Sequence, residues 1–153
     1  MIKRIKLLFL LSAIAILSAC SSQTMGDVTS GTWVYFFNKE TIEKESVLID
    51  YEDTEDIIDT FEGEYEFYDD GTVQITPTEG DYIYRGNYRT SEDSLIITYE
   101  TQGVMQIRGD LYQLEFKADS IKSESVTGSI RVDQDSIWSG NEIYSGSFSM
   151  NKE

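Results

Sequence analysis

The sequence predicts an all-β protein, an antiparallel closed barrel of about eight or nine strands, on three observations. From Gly31 onward apolar and polar residues alternate with period two, the signature of strands with one buried face. Turn-forming clusters interrupt the alternation at short intervals, as consecutive short antiparallel strands require. Four glycines, Gly63, Gly86, Gly128 and Gly146, each stand midway between two large apolar residues on one strand face. An inward glycine lets a strand coil sharply without crowding the interior, which favours a small closed sheet over an open sandwich.

The elements follow in chain order. Residues 1–19 open with Lys3, Arg4 and Lys6, pass through the apolar runs 7–11 and 13–17, and reach Leu17-Ser18-Ala19-Cys20. That charged, apolar, small-residue layout is a secretory signal. Its core is shorter than the roughly 20 apolar residues of a spanning helix. Residues 20–30 are small and polar and predict a tether, so one folded domain is expected over 31–153.

Trp33, Tyr35 and Phe37 form the apolar face of a first strand, and 46–51 reads as a second. The stretch 53–60 predicts one short helix, with Asp53 or Thr54 as N-cap and acids in its first turn. Phe61, Tyr65 and Phe67 then alternate with Glu62, Glu64 and Glu66, apolar inward and acid outward. Leu95, Ile97 and Tyr99 make another inward set, as do Tyr112, Leu114 and Phe116. Turns are expected at Asp69-Asp70-Gly71, Ser91 to Ser94, Arg108-Gly109-Asp110, Asp133-Gln134-Asp135 and Ser139-Gly140-Asn141, and the single proline, Pro77, in the 76–81 connection.

Two resemblances attach to particular residues. Leu17-Ser18-Ala19-Cys20 resembles the processing box of bacterial lipoproteins. It implies cleavage before Cys20, a diacylglycerol thioether on that cysteine, and residence in the cell envelope, on the outer membrane or the outer face of the cell membrane. Gly31-Thr32-Trp33 resembles the Gly-x-Trp opening of lipocalins and of the small lipocalin-like domains of bacterial lipoproteins. Tyr65 to Thr72, Gly86-Asn87-Tyr88 and Asp93 to Ile97 resemble the middle of those domains, so the likeness covers about residues 31–116. It implies an up-and-down barrel with Gly31 and Trp33 at the closed end and Arg131 as the cation packed on that Trp.

Composition bounds the chemistry. Past the signal, nine Lys and Arg (twelve less those at 3, 4 and 6) face 28 Asp and Glu, a formal charge of −19. Fourteen of the acids lie between Glu40 and Asp70, opposed there by Lys44 alone. Such a surface repels nucleic acid and anionic lipid. It is a solvated coat or a face for a cationic protein. With no histidine, and its one cysteine assigned to lipid, the chain lacks the commonest general base and the usual nucleophile systems. No enzymatic activity, cofactor or metal is expected. Asp133-Gln134-Asp135-Ser136 and Asp50 to Asp53 offer alternating acids, but the glycine and distal Glu of a calcium loop are missing.

Tyr82, Tyr84 and Tyr88, with Tyr65 and Phe67, are the candidate ligand-binding residues. If they face inward they line a cavity for a small apolar ligand, or equally fill a barrel of this size. The expected protein is a monomer held to the membrane through Cys20. Its expected role is small-ligand binding. The alternatives are capture of a basic partner such as lysozyme, which Ser139-Gly140-Asn141-Glu142-Ile143-Tyr144 loosely suggests by its resemblance to the Ser-Gly-x-x-Tyr segment of lysozyme inhibitors, or a structural envelope protein without ligand.

Overall fold

The computed structural model describes residues 23–46, 61–78, 82–101, 109–136 and 140–153. Within them one helical turn, α1 (Met25–Val28), precedes nine strands: β1 (Gly31–Phe37), β2 (Glu43–Ser46), β3 (Gly63–Phe67), β4 (Thr72–Pro77), β5 (Tyr84–Thr90), β6 (Ser94–Glu100), β7 (Leu111–Lys122), β8 (Ser125–Ser136) and β9 (Gly140–Lys152). Each strand pairs antiparallel with its neighbour in the order β1-β3-β4-β5-β6-β7-β8-β9, and β9 returns to β1. The sheet is therefore a closed eight-stranded up-and-down barrel: the alternation and the inward glycines predict the closure, and the resemblance to lipocalin-like domains implies the up-and-down order.

The strand beyond the eight is β2, which extends β1 along the same partner. β9 pairs with β1 from Phe37 opposite Phe148, then with β2 from Glu43 opposite Ser145. A single 3₁₀ turn, Lys39–Thr41, separates the two halves. The break is held by polar contacts: Asn38 N donates to Ser147 O at 2.9 Å, and Ser147 N donates to Thr41 Oγ1 at 2.9 Å.

Strict alternation builds the core. Trp33, Tyr35 and Phe37 are buried on β1, Leu95, Ile97 and Tyr99 on β6, Tyr112, Leu114 and Phe116 on β7. The long, polar-looking β8 and β9 obey the same parity: Val126, Ile130, Val132, Tyr144, Phe148 and Met150 point inward while serines and threonines alternate with them. The inward glycines sit where strands approach too closely for a side chain. A Cβ at Gly128 would lie 2.0 Å from Lys117 O, and one at Gly63 2.1 Å from Thr76 O. The β7 bulge between Ala118 and Ser120 faces Gly128, so bulge and glycine bend the wall together.

The barrel ends differ in their connections. At one end lie the turns 68–71, 91–93 and 123–124, together with α1. Gly71, at φ 84°, closes the first of these, donating to Tyr68 O at 3.1 Å; positive φ is the conformation glycine takes most readily. The links from β2 to β3, β4 to β5, β6 to β7 and β8 to β9 all leave from the opposite end, here called the mouth.

Several details depart from the sequence reading. The ordered body begins before Gly31, because Met25 and Val28 are fully buried and Met25 N donates to Glu92 O at 3.0 Å. Two apolar residues four positions or fewer apart form one helical face, which a reading of 20–30 as uniformly polar overlooks. Asp133-Gln134-Asp135 is not a turn but part of β8, with its acids on the outer parity. Pro77 ends β4 instead of standing in the connection, opposite Gly63. The strand begun at Ser46 and the helix expected over 53–60 lie, past Ser46, outside the described residues, as does Cys20.

Candidate functional site

The barrel interior changes character along its axis. Beside α1 it is hydrocarbon: Trp33, Leu95, Val126 and Met150 pack with Met25 and Val28. Trp33 is sealed there, its Nε1 donating to Ser30 O at 3.3 Å. Toward the mouth the lining becomes phenolic. The register places Tyr99 opposite Gly86, Tyr112 opposite Tyr99, Gln134 opposite Tyr112 and Glu142 opposite Gln134. One hydrogen-bonded row thus brings four polar side chains from four strands to a single interior band.

Rings fill that band edge to face and face to face. Tyr84 lies 5.4 Å from Tyr99, Tyr99 stacks on Tyr112 at 5.1 Å with 13° between planes, and Phe61 meets Tyr112 at 5.3 Å. Beneath them Tyr35 contacts Tyr65 at 5.5 Å and Phe116 at 5.2 Å. Spacings in this range are the favourable ones for aromatic pairs.

The polar atoms of the band are partly matched. Tyr144 Oη donates to Glu142 Oε2. Tyr65 Oη donates to Phe61 O at 2.7 Å, and Gln134 Nε2 donates to Asp110 Oδ2 at 3.2 Å. The hydroxyls of Tyr35 and Tyr99 and the Oε1 of Gln134 are buried without a hydrogen-bond partner among the described residues. A buried hydroxyl left unmatched costs about 1–3 kcal/mol, so these atoms call for a water or a ligand.

Burial holds the phenols protonated. Desolvation pushes Tyr35 and Tyr99 well above the usual tyrosine value near 10, with neighbouring Tyr65 adding to both. Tyr112 is pushed up by burial and then by the Asp110 carboxylate; Tyr144 by burial and then by its bond to Glu142. The lining presents neutral O–H donors throughout the physiological range. Among the described residues no group of three or more acidic, His or Cys side chains is arranged to hold a metal ion.

The residues expected to bind ligand are dispersed. Tyr84 belongs to the ring ladder. Tyr65 lies deeper, under Tyr35. Phe67 and Tyr88 meet at 5.1 Å near the α1 end, and the Tyr88 hydroxyl donates outward to Tyr68 O at 2.9 Å. Tyr82 precedes β5 and is 63% exposed. Arg131 stands on the outer parity of β8, 3.1 Å from Asp133, and the cation over the Trp33 ring is Lys152, 5.8 Å from its centroid. Tyr35, Tyr99, Tyr112, Tyr144, Gln134 and Glu142 did not stand out from the sequence. The inward parity of Tyr35, Tyr99 and Tyr112 was readable, whereas Gln134 was expected in a turn, and the row that joins Tyr99, Tyr112, Gln134 and Glu142 depends on register. Glu62, expected in water, accepts from Phe37 N at 2.9 Å.

Two open grooves mark the outside of the wall. One, of about 500 Å³, has Tyr68, Asp70, Arg85 and Asn87 along it; the other, of about 460 Å³, runs past Glu115, Lys117, Arg131 and Ser145. Comparison with protein families, with characterised proteins and with solved structures gives no match to this chain. The topology alone is compatible with the lipocalin-like fold.

Proposed function

We propose that this chain is a lipid-anchored protein of the bacterial cell envelope whose barrel binds a small, largely apolar molecule in its mouth half, without catalysis. One observation carries the ligand reading: Tyr35 and Tyr99 hold buried hydroxyls with no partner among the described residues, inside a wall of aromatic rings. Small-molecule sites combine apolar lining with a few convergent polar groups that fix orientation. A ligand with an acceptor atom on an otherwise apolar body matches both features. Neutral phenols are poor bases and weak nucleophiles, which favours recognition over reaction.

The anchoring reading draws on the layout of residues 1–20. Each buried methylene contributes about 0.8 kcal/mol, one chain holds marginally and two hold firmly, so a diacylglyceryl group suffices. Incorporation of labelled palmitate, lost in Cys20→Ala, is the expected result; an unmodified mature N-terminus by intact mass removes it.

Native mass spectrometry of the barrel after exposure to envelope lipid extracts tests the ligand. Retained mass that falls at least about tenfold in affinity in Tyr99→Phe, the worth of one hydrogen bond near 1.4 kcal/mol, is expected. A barrel that keeps nothing from any extract removes the reading. The alternative, an acidic surface that captures a basic protein, draws on the fourteen acids between Glu40 and Asp70. Its check is lysozyme activity at physiological salt, where screening removes weak attraction; no effect at excess protein dismisses that version.

A further inference from the structure

We infer that the barrel stands on the membrane with its α1 end toward the lipid and its mouth toward the aqueous space, so that ligand enters from the side away from the bilayer. The inference rests on the proposed acylation of Cys20. Four peptide links join Cys20 to Thr24, and at about 3.3–3.6 Å per residue they reach at most about 14 Å.

Thr24 is itself fixed to the barrel. Its backbone N and its Oγ1 both donate to Asp27 Oδ2, at 2.7 and 3.0 Å, and start α1. The next residue, Met25, is completely buried and bonded to Glu92 in the 91–93 turn, and Val28 is buried beside it. The leash therefore leaves from the end opposite the mouth.

Its length decides the orientation. β8 has twelve residues; at about 3.3 Å per residue and a tilt of 35–45° the wall stands about 25–30 Å tall. A leash of about half that height cannot carry the anchor around to the mouth.

The chain's only cysteine is the acylated one, so Ser123→Cys, in the β7–β8 turn, and Asn141→Cys, at the mouth end of β9, each give a unique site for a fluorescent donor. The acylated protein is added to phosphatidylethanolamine–phosphatidylglycerol vesicles that carry an acceptor lipid. Energy transfer at least about twofold greater from position 123 is expected from a wall of that height. Equal transfer, or more from 141, by a protein that floats with the vesicles overturns the orientation alone. A protein that does not float removes the anchor and the orientation together. Inserting about twenty Gly/Ser residues after Ser22 makes the leash longer than the wall and should level the two signals; an unchanged difference would show that the leash does not set it.

Discussion

Toward α1 the barrel interior holds Trp33, Leu95, Val126 and Met150 around the docked Met25, whereas toward the mouth it holds Tyr84, Tyr99, Tyr112, Tyr144, Gln134 and Glu142. Both regions use the same strands and the same parity. The α1 end gains stability from buried hydrocarbon, and the indole of Trp33 is matched by Ser30 O. The mouth end buries rings of similar size but takes on hydroxyls whose partners are incomplete. One region is built to hold the fold together; the other gives up stability in a way that leaves polar atoms available.

The largest expected effect sets the two regions apart directly. Trp33→Ala should lower stability by about 3–5 kcal/mol, while Tyr84→Ala, at a half-buried mouth position, should cost about 1 kcal/mol or less and act instead on ligand retention. Equal losses in urea unfolding would erase the distinction. Gly128→Ala comes next. Its Cβ would meet Lys117 O at 2.0 Å, and relieving that overlap should cost about 1–3 kcal/mol; an unchanged midpoint would mean the wall is not pinned there.

A smaller effect of opposite sign is expected at the unmatched phenols. Removing a buried hydroxyl without a partner, in Tyr35→Phe, should raise stability by about 1 kcal/mol in the ligand-free protein. Destabilisation would reveal a bound water or ligand already bonded to that oxygen. The pH dependence is the mildest test. The folded state raises the tyrosines above their unfolded value near 10, so it binds more protons than the unfolded state above that pH. The stability they contribute is fully present below pH 10 and falls as pH rises beyond it. Absorbance titration should show the interior phenols ionising only with unfolding. Ionisation of all ten tyrosines in the folded state near pH 10 would contradict their burial.

How much of this was readable follows from the physics of each signal. Period-two alternation is local, so Trp33-Tyr35-Phe37 and Tyr112-Leu114-Phe116 declared their inward faces before any partner was known. The inward glycines are local too, and Gly63 and Gly128 proved to be places where a neighbouring carbonyl leaves no room for Cβ. The acids at 133 and 135 misled because composition suggested a turn, while their outward parity on β8 let them meet solvent without ending the strand. Arg131 shares that parity, which puts it outside the wall and leaves Trp33 to Lys152.

By itself, then, the sequence determined an acidic, strand-rich chain whose alternation and glycines favour a closed sheet, since those signals arise between residues a few positions apart. Only the tertiary structure decided that Tyr99, Tyr112, Gln134 and Glu142 share one row and that Met25 docks on the opposite end. Register between strands distant in sequence sets the height of each side chain in the barrel, and no local pattern encodes it.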